Sequence, residues 1–186
     1  MTDSWKQPLL QIYAASGAAK TGTFKLSSGG TSDFYIDGRV VTTRPDGLRA
    51  IVAAMQAVIR QRTLLDADTN LIGPAVSGIP IAAALSLALD VPYVIDRGAA
   101  KQHGMGKRFE GMFSDGAKAL VVDDLITAGG TLVKTVEGLR EVGKTVTHAV
   151  IVVDRQEGGP ELLARHGVQV HALITRDELK AYLARS

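Results

Sequence analysis

Ala119-Leu120-Val121-Val122-Asp123-Asp124-Leu125-Ile126-Thr127-Ala128-Gly129-Gly130-Thr131 decides the reading of this chain. Ala119–Val122 reads as a buried strand, and it ends in two adjacent carboxylates. A turn rich in small and hydroxyl residues follows and opens a helix. Backbone N–H groups at a helix N-terminus form an anion cradle when the side chains are small enough for close approach. Thr127 and Thr131 add hydroxyl donors to that cradle, and Ala128, Gly129 and Gly130 keep it open. Asp123 and Asp124 cannot bind the anion; carboxylates suit vicinal hydroxyls of a sugar or a hydrated Mg²⁺. An anion at one end and a diol at the other describe a phosphorylated ribose. Two carboxylates at a buried strand end cost desolvation unless a ligand uses them, which weighs against a plain capped turn. No G-x-x-x-x-G-K-[ST] sequence and no strand-linked G-x-G-x-x-G occurs, so neither a P-loop nor a dinucleotide site is indicated.

Working outward, apolar runs alternate with helical stretches. Leu71-Ile72 precedes Gly73-Pro74; a helix is predicted over Pro80–Leu89 and a strand over Val91–Ile95. Downstream, the pattern predicts a helix over Leu132–Val142, a strand over Thr145–Val153, a helix over Glu161–His166, a strand over Val168–Leu173 and a helix over Arg176–Leu183. Buried strands separated by helices imply an α/β fold, a parallel sheet of about five strands covered on both faces. Ligands in such folds bind outside the carboxyl ends of the strands. Pro45 suits a helix start, and Leu48, Ile51, Val52, Met55, Val58 and Ile59 form one apolar stripe behind it. Before it, Trp5, Leu9, Ile12 and Tyr13 recur at helical spacing, and Gly17 and Gly22 close the segment. Phe24–Leu26 and Phe34–Asp37 then flank a polar, glycine-containing turn, the pattern of a hairpin. Residues 1–44 are thus expected as a small N-terminal hood and 45–186 as the core domain, one compact unit overall.

Composition bounds the chemistry. The 186 residues are 46% hydrophobic and 22% charged, which is ordinary globular usage and excludes disorder as the main reading. The absence of Cys removes disulfides, thiolate nucleophiles, Fe–S clusters and Cys-based zinc sites. With 21 Lys+Arg against 19 Asp+Glu, the net charge of +2 announces neither nucleic acid nor membrane as partner. Met1–Pro8 is polar, and the longest apolar stretch, Ile79–Leu89, is short of the roughly 20 residues that span a bilayer. A soluble, cytoplasmic protein is expected.

Three further segments carry chemistry. Gly73, Ser77 and Gly78 precede an apolar helix and can offer N–H groups to a second anion. Between Arg97 and Gly116, the cations Arg97, Lys101, His103, Lys107 and Arg108 are interleaved with Gly98, Gly104, Gly106 and Gly111, which suits a lid over polyphosphate. Arg155, at the end of the Thr145–Val153 strand, can present planar donors to carbonyl or carboxylate oxygens. Phe34 and Tyr35 can stack on a flat base, although adjacent strand residues face opposite ways and one of them belongs to the core. His148, His166 and His171 share no ligand spacing and read as structural.

Val121–Thr131 resembles the signature of the type I phosphoribosyltransferases, and the other segments resemble the orotate phosphoribosyltransferase family in order and spacing. Phe24–Gly29 with Ser32–Asp37 is similar to that family's hairpin, Gly73–Ala82 to its pyrophosphate loop, Arg97–Gly104 to its mobile loop, and Asp154–Gly159 to its base-recognition turn. Gly98 departs from the pattern, since the family places a second basic residue there; Lys107 or Arg108 is a candidate replacement. The resemblance implies transfer of phosphoribosyl from 5-phosphoribosyl 1-pyrophosphate to orotate, in de novo pyrimidine synthesis. It implies Asp123 and Asp124 on the ribose diol, Thr127–Thr131 on the 5-phosphate, Ser77, Arg97, Lys101 and His103 toward the pyrophosphate, and Arg155 on the base. Lys101, His103 and Asp124 are the catalytic candidates, with a proton donor in Lys101 or His103. Mg²⁺ is implied, held mainly by the substrate with both carboxylates nearby, as is a homodimer sharing its loops. Two alternatives stay open: a phosphoribosyltransferase for another base such as a purine, and a nucleotide-sensing regulator on the same fold.

Overall fold

A computed structural model describes residues 4–25, 30–98, 107–114 and 118–185. Helix α1 (Lys6–Ala15) buries Leu9, Leu10 and Tyr13. It leads into an antiparallel hairpin of β1 (Ala19–Lys25) and β2 (Thr31–Ile36). β1 begins well before the expected Phe24 and runs through Gly22. The register shifts between Thr21 and Phe24, which breaks the alternation that sequence pattern depends on. A four-residue helix, α2 (Arg39–Thr42), follows; nothing in the apolar spacing marks it.

Helix α3 (Pro45–Gln61) starts on Pro45 and buries the predicted stripe from Ile51 to Ile59. The remaining elements are β3 (Thr69–Pro74), α4 (Gly78–Leu89), β4 (Tyr93–Asp96), β5 (Phe109–Glu110), β6 (Lys118–Ile126), α5 (Gly130–Glu141), β7 (Thr145–Asp154), α6 (Gly159–Arg165), β8 (Gln169–Thr175) and α7 (Arg176–Leu183). A capping box between Thr175 and Glu178 fixes the start of α7.

The main sheet has the order β5-β4-β3-β6-β7-β8. Five strands are parallel, as expected, and the two-residue β5 adds an antiparallel edge beside β4. Its faces are covered separately. Leu9, Tyr13, Phe34, Ile51, Met55, Ile81 and Leu85 pack with Leu120, Val122 and Val150 on one side. Leu132, Val136, Leu139 and Leu163 pack with Val121, Ala149 and Ile151 on the other. Each of the Val, Leu, Ile, Phe and Met side chains among them contributes about 1.5–3 kcal/mol by leaving water. Tyr13 of α1 and Phe34 of β2 share the first of these cores, so the N-terminal elements and the sheet are held by one apolar contact surface. From β3 the chain passes through α4 to β4 on one flank, whereas β6 lies on the other flank and leads on to β7 and β8. The direction of winding reverses between β3 and β6, where a ligand crevice opens in folds of this kind.

Candidate active site

The carboxyl ends of β3, β4, β6, β7 and β8 lie along one edge: Pro74 pairs with Asp96, Ile126 with Asp154, and Asp154 with Thr175. The β3–α4 turn, Arg97, the 127–131 turn and Arg155 all follow strands that end at this edge, whereas the hairpin forms a separate sheet. Asp123 and Asp124 are inside β6 and not beyond it. The strand continues past the expected Val122 because Asp123, Leu125 and Ile126 find partners in Ile151, Val153 and Asp154 of the longer β7.

The Asp124 N–H donates to Asp123 Oδ1 at 2.9 Å, which ties the two neighbouring carboxylates together. Asp124 is 8% exposed, and the Ser77 side chain of the β3–α4 turn acts on its carboxyl, holding its pKa down. Gly38 lies against the other side: a β-carbon there would overlap the Asp124 carboxylate, so only glycine fits. Burial pushes the Asp123 carboxyl well above the usual carboxylate range, and the neighbouring Asp124 charge pushes it further. Burial also raises Asp124, with the bonds from Asp123 and Ser77 opposing and the Asp37 charge adding. Such a pair is short of positive charge or hydroxyl donors, which a ribose diol supplies.

Thr127 is partly buried, Ala128, Gly130 and Thr131 are exposed, and Gly129 turns the chain at φ +83°. Among the described residues no side chain caps α5, nor α4 behind Ser77, so the first amides of both helices are left without a side-chain acceptor. The Ala75–Val76 peptide in the β3–α4 turn is cis.

Arg155 follows β7. Its N–H donates to the Ile126 carbonyl at 3.0 Å and its Nη2 to Glu157 Oε1 at 2.9 Å. Its Nε is buried and has no acceptor among the described residues. A buried donor left open costs about 1–3 kcal/mol, a cost that a ligand oxygen would remove.

The basic segment divides. Arg97 pairs with Glu110 at 3.1 Å and stays substantially exposed. Arg108 does not replace the base missing at Gly98: both arms of its guanidinium are engaged by Asp96 at 2.8 and 2.9 Å. Lys107 remains exposed. Lys101 and His103 lie outside the described residues, as does the hairpin turn at 26–29.

Phe34 is withdrawn as a stacking candidate because it is 1% exposed and belongs to the core under α1. Tyr35, on the opposite face of β2, is 43% exposed and has the Phe24 ring 5.4 Å away. Asp37, Gly38 and Tyr13 were missed as neighbours of the carboxylates. The Tyr13 hydroxyl is buried without a partner among the described residues, and its acidity is suppressed by burial and then by the Asp124 charge. No spacing links α1 to β6, so nothing in the sequence reveals that contact. The histidines hold a second surprise: His148 Nδ1 and His171 Nε2 are 3.1 Å apart across β7 and β8. Burial, with His148 and Arg62 adding, lowers the His171 pKa to about 4.

Residues 41–168 match the family model described as "Phosphoribosyl transferase domain". The chain is 46% identical to the orotate phosphoribosyltransferase of Halobacterium salinarum over 92% of its own length and 94% of that protein's. It is 36% identical to that of Pyrococcus abyssi, over 94% of each chain. The crystal structure of orotate phosphoribosyltransferase from Aeropyrum pernix superposes with a TM-score of 0.84 at 35% identity, covering 96% of this chain and 99% of that one. With the carboxylate pair, the uncapped turn and the reversal of winding between β3 and β6 already in place, the chain belongs to the phosphoribosyltransferase family, alongside the orotate phosphoribosyltransferases.

Proposed function

We propose that the chain transfers phosphoribosyl from 5-phosphoribosyl 1-pyrophosphate to orotate, giving orotidine 5′-phosphate and pyrophosphate, as a step of de novo pyrimidine synthesis in the cytoplasm. The observation that carries the reading is the pair of half-buried Asp123 and buried Asp124 on the strand that feeds the open turn 127–131. A diol site and an anion site therefore adjoin on one strand and its turn.

In the reaction the bond from the anomeric carbon to pyrophosphate oxygen breaks, and a bond to the orotate ring nitrogen forms. Positive charge develops on the ribose ring between these events, and the two carboxylates face it. Amides and hydroxyls of Thr127–Thr131 fix the 5-phosphate, the Ser77 turn and Arg97 meet the pyrophosphate, and the open Arg155 donor takes an orotate oxygen. Tyr35 offers its exposed ring to the flat base. Positioning and charge stabilisation supply the acceleration, because orotate is already an electron-rich anion. Lys101 and His103 complete the pyrophosphate side, one of them as proton donor, and reach it from the second subunit of a homodimer.

Among the described residues no three His, Asp or Glu side chains gather into a metal cage. Asp123 and Asp124 are carboxylates of the kind that suit a hydrated Mg²⁺ and would stand beside an ion carried in on phosphate oxygens. Such an ion would supply charge neutralisation on the leaving group. Among the described residues no helix is long and apolar enough to cross a membrane.

The test follows orotate consumption by its ultraviolet absorbance, with and without Mg²⁺, beside a panel of adenine and hypoxanthine. Mg²⁺-dependent turnover of orotate alone is expected. Turnover of a purine and not of orotate would replace the base assignment; salt-dependent nucleic-acid binding without any turnover would replace the enzyme by a regulator.

A further inference from the structure

Asp96 ends β4 and is 1% exposed, yet every oxygen it owns is in use. Its Oδ1 accepts from the Gly98 N–H at 2.9 Å and from Arg108 Nε at 2.8 Å. Its Oδ2 accepts from Arg108 Nη2 at 2.9 Å and from the Thr135 hydroxyl at 2.7 Å. Its main-chain carbonyl accepts from the Ala75 N–H at 2.7 Å. Those partners come from three places: Ala75 opens the β3–α4 turn, Gly98 and Arg108 bracket the basic segment, and Thr135 stands one turn into α5.

The surroundings are built for this contact. A β-carbon at Gly138 of α5 would overlap the Arg108 guanidinium, so a residue without a side chain admits the arginine against the helix. The Arg97 N–H donates to the Arg108 carbonyl at 3.0 Å, and Asp96 pairs with Phe109 across β4 and β5. Burial alone would raise the Asp96 carboxyl; the bonds from Arg108, Thr135 and Gly98 outweigh it and hold the group below the usual range.

A buried ion pair adds little stability over apolar residues of the same volume, because desolvation offsets the attraction. What it does supply is direction: a bidentate guanidinium–carboxylate pair fixes two chain segments in both distance and angle. We infer that Asp96 is a positioning residue that sets the register of the three anion-binding segments, the 75–78 turn, the base of the basic segment and α5, relative to one another. The inference rests on the reading of those segments as pyrophosphate and 5-phosphate sites. Asp96 itself touches no substrate. Misplacing one of two anion sites by a fraction of an ångström leaves each site intact and spoils their joint grip on one donor molecule.

Thr135→Val is the cleanest probe, because it keeps the shape and removes one bond to Asp96; Thr135→Ser and Asp96→Asn accompany it. For Thr135→Val the expected result is a KM for 5-phosphoribosyl 1-pyrophosphate raised about tenfold and kcat lowered about tenfold, with the KM for orotate within about twofold of the parent. Thr135→Ser should restore both, and Asp96→Asn should show the same split more strongly. Calorimetric titration with inorganic pyrophosphate alone should give nearly unchanged affinity in Thr135→Val, since one site by itself survives. Folded variants that lose thermal stability but keep parental kcat and KM values would overturn the inference and leave Asp96 as a packing element. If Asp96→Asn fails to fold, Thr135→Val and its serine rescue decide alone. A parent chain that turns over no orotate refutes the proposed reaction instead. The inference is then judged by 5-phosphoribosyl 1-pyrophosphate binding, which must weaken in Thr135→Val while pyrophosphate binding holds; equal binding of the former by parent and variant overturns it.

Discussion

Replacing Asp124 by Asn removes a charge and no volume from a site where Gly38 and Ser77 already hold the side chain in place. Turnover is expected to fall about 100-fold or more while circular dichroism stays unchanged, the size typical of losing one well-placed electrostatic group. Activity within a few-fold of the parent would reduce the carboxylate to a structural role. Asp123→Asn should also inactivate, and it should stabilise. An acid whose pKa is raised in the folded state loses stability as pH climbs from the ordinary carboxylate range through the raised value, so the ligand-free parent carries this strain at pH 7. The variant should melt about 2–4 °C higher at neutral pH, equivalent to about 1 kcal/mol, and the gain should vanish near pH 4. A gain that persists at acid pH would assign it to packing. Arg155→Ala should raise the KM for orotate at least about tenfold, since a bond from a charged donor is worth about 1.5–3 kcal/mol, with little change for 5-phosphoribosyl 1-pyrophosphate. Equal effects on both substrates would move Arg155 out of the base pocket.

Between elements, the contact of β7 with β8 places His148 against His171, and this makes the amino-terminal half of the sheet acid-sensitive. The folded-state pKa of His171, about 4, lies below its unfolded value, so the unfolded chain binds the proton first as pH falls. Stability is complete above about pH 6.5 and drains away toward pH 4. Melting curves of the parent and of His171→Phe should therefore converge in slope above pH 6.5 and separate below it, the parent falling faster. Parallel curves would mean that the imidazole titrates alike in both states. That contact also shows where sequence pattern stops. The motif on β6, the stripe on α3 and the bounds of α7 were legible because each rests on neighbours within a few residues. The bulge in β1, the two-residue β5, the Asp96–Arg108 bond and the histidine pair were not, because each depends on chain segments that meet only after the sheet assembles. Site residues divide the same way. Asp123, Asp124 and the 127–131 turn announce themselves, whereas Phe34 could be told from Tyr35 only when α1 was seen to cover it.

At the scale of the whole molecule, loop sharing in a dimer predicts complementation. Lys101→Ala and Asp124→Asn should each be nearly inactive alone. Random exchange of equal amounts leaves about half the dimers mixed, and in each of these one site pairs an intact pocket with an intact loop. Activity should return to about a quarter of the parent's. No recovery after verified exchange would show that each loop serves its own pocket, and the reaction assigned to the chain would stand. The junction of β4 with β5 has a different consequence, for the lengthening of the chain. Gly98 and Arg108 are both tied to Asp96, so the chain is fixed at one point on either side of residues 99–106. Closing a longer excursion across a fixed gap adds only about 0.6 kcal/mol for each doubling of its length. Insertions between those two residues should therefore leave the melting temperature almost untouched and register in catalysis alone, which makes this the position where the enzyme's speed can be varied while its framework stays constant.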